Sequence, residues 1–127
     1  MLCSAIIFDI ATGRITTDLV CEVETIPHWP LEPGEDLRAV FEPVTQLTHW
    51  VPHGIITPRP PCTVTLAPTA DGFRALGLKA GSSIRIAGRS MTADQDDPSF
   101  SWPAGLIRVE IDNFPEAPAV MEVQSHG

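Results

Sequence analysis

Hydrophobic and polar residues alternate in short bursts along this chain, with a turn about every ten residues. Residues 2–10 are rich in β-branched and aromatic side chains and predict a strand. Ala11-Thr12-Gly13-Arg14 follows as a turn in which Gly13 supplies a positive φ. Over residues 14–24, Ile15, Leu19, Cys21 and Val23 alternate with Thr16, Asp18, Glu22 and Glu24, so a second strand and a hairpin are expected. Residues 26–34 contain Pro27, Pro30 and Pro33 and predict a loop carrying His28 and Trp29. Residues 36–41 fit either a short strand or one helical turn. Residues 46–51, the turn Pro52-His53-Gly54 and the return Ile55-Ile56-Thr57 predict a second small hairpin.

Pro58-Arg59-Pro60-Pro61 holds three prolines in four residues, which makes a stiff, extended connector and predicts a domain junction. Beyond it, strands are expected over residues 62–66, 73–78, 83–87, 99–102, 106–112 and 120–124. An acidic loop is expected over 93–98. The alternation assigns Val64, Leu66, Ile84, Ile86, Phe100, Trp102, Ile107, Val109, Ile111 and Val123 to a core face. No window longer than about ten residues keeps a helical period without Pro or Gly. The expected fold is all-β: an N-terminal β-hairpin region (1–57), a proline linker (58–61) and a C-terminal sandwich (62–127).

Composition sharpens this picture. There are 13 prolines in 127 residues, about twice the usual share, and they forbid long helices. A hydrophobic fraction of 43% is enough for a core. The net charge of −8 leaves no basic stripe for nucleic acid and disfavours an anionic membrane. The first residues lack a basic start, and Asp9 interrupts their apolar run, so neither a signal peptide nor a membrane span is expected. Cys3, Cys21 and Cys62 are widely spaced without C-x-x-C, which predicts packed, reduced thiols rather than a zinc ribbon.

Candidate chemistry is thin. His49 and His53 have i, i+4 spacing, but Pro52 and Gly54 rule out the helix that would align them, and His28 lies on another loop. Asp94, Asp96 and Asp97 lack the residue order and distal Glu of a calcium loop. Ser90 has no nucleophile-elbow context, and nothing selects a Cys–His dyad or a carboxylate pair. No enzyme, metal or cofactor is expected. Trp29 and Trp50 sit in or beside Pro-rich turns. They either pack over the first hairpin or mark an interface or sugar-stacking site. Leu31, Phe41, Ile55 and Ile56 join them as interface candidates in a half too small to bury them all.

Two groups of residues carry a resemblance. Asp9-Ile10-Ala11-Thr12-Gly13-Arg14-Ile15 and Thr48-His49-Trp50-Val51-Pro52-His53-Gly54-Ile55-Ile56-Thr57-Pro58-Arg59-Pro60 resemble the hairpins that open small structural proteins of tailed-phage and prophage tail modules. Leu76-Gly77-Leu78-Lys79-Ala80-Gly81-Ser82-Ser83-Ile84-Arg85-Ile86 and the stretch Pro103-Ala104-Gly105-Leu106-Ile107-Arg108-Val109-Glu110-Ile111-Asp112-Asn113-Phe114-Pro115 are similar to the Ig-like domain that follows in such proteins. Leu106 replaces a usual Tyr, removing a tyrosine corner. Glu116 replaces a common aromatic, which points to a surface altered for a different neighbour. The resemblance implies an Ig-like β-sandwich and a minor virion protein at the tail tip, baseplate or fibre attachment, assembled in the host cytoplasm. It would dock on other tail proteins or on itself. The alternative from the residues is a carbohydrate-binding module that contacts host glycans through Trp29 and Trp50.

Overall fold

The computed structural model describes residues 1–126. Among the described residues the chain is all-β, with twelve strands in four antiparallel sheets, none closed into a barrel. It divides into two compact units, Met1–Arg59 and the chain from Pro60 onward.

In the first unit, β1 (Leu2–Asp9) is the central strand, flanked by β2 (Ile15–Glu22) and β3 (Glu35–Val40). The near-continuous apolar run of β1 is explained by burial on both faces. Ile6 and Phe8 pack with Ile15, Val40, Val44 and Val51 on one side. Cys3, Ala5 and Ile7 pack with Cys21 and Leu37 on the other, under Ile26 and Trp29. Ile26 belongs to a 3-10 turn, Val23–His28, which forms where alternation had suggested more strand and then a loop. The predicted strand over 46–51 shrinks to β4 (His49–Trp50), paired with β5 (Thr57–Pro58).

The β1–β2 turn shows why its residues have their identities. The Asp9 carboxylate accepts the Ala11 and Thr12 N–H groups at 2.8 and 3.1 Å, and the Thr12 hydroxyl accepts Arg14 N–H at 3.1 Å. Gly13 has φ +77°, and its carbonyl accepts the Val51 N–H at 2.7 Å. A Cβ there would sit 2.7 Å from the Val51 oxygen.

The second unit encloses one core between two sheets. One sheet has the order β10 (Ser99–Ser101), β7 (Gly72–Leu76), β6 (Thr65–Pro68). The other has the order β12 (Ala119–Ser125), β11 (Gly105–Asp112), β8 (Ser83–Ile86), β9 (Arg89–Thr92). The buried cluster takes Phe73 and Ala75 from the first sheet and Ile84, Ile86, Ile107, Val109, Ile111 and Val123 from the second. Leu66, Phe100 and Trp102 pack against it half-buried. The strand expected at 62–66 starts only at Thr65, and β9 had no signal in the alternation.

Candidate functional site

The interface candidates lie in the first unit, and the fold treats them unequally. Trp29 is half-buried against the Cys3–Ala5–Ile7 face of β1. Trp50 is half-buried in β4 opposite Thr57. Ile56 packs on the Ile6–Phe8 face. Leu31 is at the edge of exposure, whereas Phe41 is 90% and Ile55 67% exposed. Phe41 leaves the sheet directly after β3 and borders a shallow hollow of about 320 Å³ with Ala39, Val40, Glu42, Val44 and Ile56. Leu47, which the sequence did not single out, is also exposed. The fold therefore brings Phe41 and Ile56 to one hollow and spends part of each Trp on the interior.

The residues that carry the second hairpin motif hold this unit together. Arg59 is only 7% exposed, and its guanidinium donates to the Gln46 carbonyl at 2.9 Å. Its N–H donates to the Thr48 carbonyl, so this part of the proline segment is tied to the β4–β5 hairpin. Val51 is fully buried. The Gly54 carbonyl accepts from the Arg38 guanidinium, which also lies over the Phe8 ring, 5.5 Å from its centroid.

In the second unit, a hollow of about 520 Å³ opens on the outer face of the four-stranded sheet. Register places Glu110 beside Arg85 and Asp112 beside Ser83, with Ser90 and Thr92 next along the rows. Glu110 lies 3.7 Å from Arg85 and 3.5 Å from Arg108. No histidine or aromatic ring lines the hollow, so it offers neither a hydroxyl–imidazole pair nor a stacking platform for sugar.

Polar residues that looked available for a ligand are used inside the fold. Asp96 accepts Ala80 N–H at 2.9 Å, and Asp97 accepts Gly77 N–H at 2.7 Å, so the acidic loop clamps the turn before β8. Glu116 likewise makes an internal clamp. Its two oxygens take the N–H and hydroxyl of Thr63 at 2.8 and 2.6 Å. Asn113, missed by sequence reasoning, is fully buried and donates to Glu116 at 3.1 Å. The only trace of its role is an Asn just past the alternating strand, before Phe114-Pro115.

Burial pushes the Glu116 pKa up, but bonds from Thr63 and Asn113 and the charge of Lys79 outweigh it and hold the carboxyl below its ordinary 4.5. A depressed folded-state pKa gives stability that is complete above the unfolded value and lost as pH falls through the folded one. Glu116→Gln should therefore flatten the acid side of the stability–pH curve and cost up to about 1 kcal/mol at pH 7, since solvent screens part of the interaction. Urea midpoints measured from neutral to acid pH check this. Parallel curves for the variant and the parent would contradict the assignment.

Among the described residues, no three His, Cys, Asp or Glu side chains group so as to hold a metal ion. No helix among them is long and apolar enough to cross a membrane. No protein-family model, curated protein or solved structure matches this chain.

Proposed function

We propose that the protein is a minor structural component of a tailed-phage or phage-derived particle, positioned at the tail tip, baseplate or fibre attachment, and that it works by protein–protein docking. The observation that carries the docking reading is Phe41, a large apolar ring left 90% exposed beside a hollow at the end of an edge strand. The particle assignment rests on the resemblance of the two hairpins and of the 76–86 and 103–115 stretches to tail-module proteins. We read the second unit as Ig-like, because two antiparallel sheets share its core. A net charge of −8 favours solubility of the free subunit until a neighbour covers the apolar surface.

Phe41→Asp tests this reading. A central aromatic anchor is worth about 2 kcal/mol or more, roughly a thirtyfold change in affinity. The variant should keep its melting temperature and disappear from purified particles. Recovery of both proteins outside the particle fraction would remove the structural reading. Glycan binding lost in Trp29→Ala or Trp50→Ala, with incorporation intact, would favour the carbohydrate-binding alternative.

A further inference from the structure

Cys3 and Cys21 are direct cross-strand partners in the β1–β2 register. Both are buried in the same small cluster. Opposed Cα atoms in an antiparallel pair lie about 4.5–5.5 Å apart, inside the range a disulfide spans. The Val23 N–H donates to the Met1 carbonyl, so stepping by two makes Cys3–Cys21 a hydrogen-bonded pair, the wider of the two classes. Its Cβ atoms must close by about 1–2 Å to accept a normal disulfide, which leaves the bond strained and easily reduced. Burial raises the Cys3 pKa, and the neighbouring Cys21 thiol adds to the rise. Position also matters. Cys3 is one residue from the start of β1 and Cys21 one from the end of β2, at the open end of the hairpin. Strand ends fray first, and β2 is an edge strand, so a small oxidant reaches these thiols by local opening.

We propose that Cys3 and Cys21 form a reversible dithiol–disulfide couple that staples the open end of this hairpin, with a low-molecular-weight disulfide such as oxidised glutathione as the oxidant. One cysteine thiolate attacks the small disulfide and expels a thiolate. The second cysteine then attacks the mixed disulfide and expels the other. Two S–H bonds and the S–S bond of the small disulfide break, one S–S bond forms between Cys3 and Cys21, and the two protons pass by way of solvent to the expelled thiolates, so that two electrons reduce the small disulfide to two thiols. The staple shortens the open chain of the unfolded state and so stabilises the first unit in an oxidising setting.

The test equilibrates the full-length protein in glutathione buffers from reducing to oxidising, traps free thiols by alkylation and maps the peptides by mass spectrometry. The expected product is a Cys3–Cys21 peptide lighter by two hydrogens, with Cys62 alkylated, full reversal on adding reduced glutathione, and a higher melting temperature when oxidised. Cys62→Ser should leave the transition unchanged, and Cys21→Ser should abolish it. The couple is refuted if Cys3 and Cys21 stay reduced in the most oxidising buffer while the urea-unfolded chain oxidises in it. A disulfide that joins Cys62 instead would also refute it. The wild-type map decides the matter even where a variant fails to fold.

Discussion

Gly72→Ala should unfold or nearly unfold the second unit. A Cβ on Gly72 would fall 1.8 Å from the Phe100 carbonyl oxygen and 2.9 Å from its carbon, both backbone atoms of the paired strand β10. No rotamer change relieves a clash with backbone, so β10 must separate from β7. That separation pulls Phe100 from Phe73, whose rings stand 5.3 Å apart, and breaks the Ser101–Asp71 bond at 3.0 Å. Overpacking usually costs about 1–3 kcal/mol, and loss of a strand's packing adds to it, so about 3–5 kcal/mol is expected. A unit of this size has a total stability of about 3–10 kcal/mol. Gly81 is the control. It has φ +87° and nothing within 4 Å of a Cβ, so Gly81→Ala carries only the conformational cost, about 1 kcal/mol. Urea unfolding of both variants separates sterics from backbone preference, and equal costs would remove the steric argument.

Asn113→Asp should be the most damaging near-isosteric change in the second unit. The Asn113 side chain is fully buried and uses both ends. Its oxygen accepts Lys79 N–H and the Ser82 hydroxyl, each at 3.0 Å. Its nitrogen donates to the Gly77 carbonyl and to Glu116, each at 3.1 Å. Aspartate keeps the shape and the two accepted bonds, but it turns both donated bonds into oxygen–oxygen repulsions, one against a carboxylate. A buried group set against its partners costs about 1–3 kcal/mol, more when charged, so a loss of about 3 kcal/mol or more at neutral pH is expected. Adding Glu116→Gln supplies an amide that can donate to the new carboxylate. The double variant should therefore recover about 1 kcal/mol or more relative to additivity. Additive losses would show that Asn113 and Glu116 do not act as one network.

What the sequence determined by itself is the strand-rich class and the faces of its most regular strands. β8 and β11 were legible because Ile84, Ile86, Ile107, Val109 and Ile111 sit at alternate positions on a sheet wet on one side. The first turn was legible because Asp9 and Thr12 make local contacts that need no distant partner. Tertiary structure alone decided the rest. Arg89-Ser90-Met91-Thr92 carries one apolar residue, yet it forms β9 because Ala87 and Gly88, both at positive φ, fold it back on β8. Residues 62–64 alternate like a strand, but the Thr63 N–H goes to Glu116, 53 positions away, instead of to a neighbouring strand. Phe41 and Trp29 read alike as interface candidates, and only the folded unit partly covers Trp29 and leaves Phe41 in water. Alternation reports the side of a strand on which a residue lies. Whether a remote segment covers that side depends on long-range packing, and so did the location of the candidate docking site.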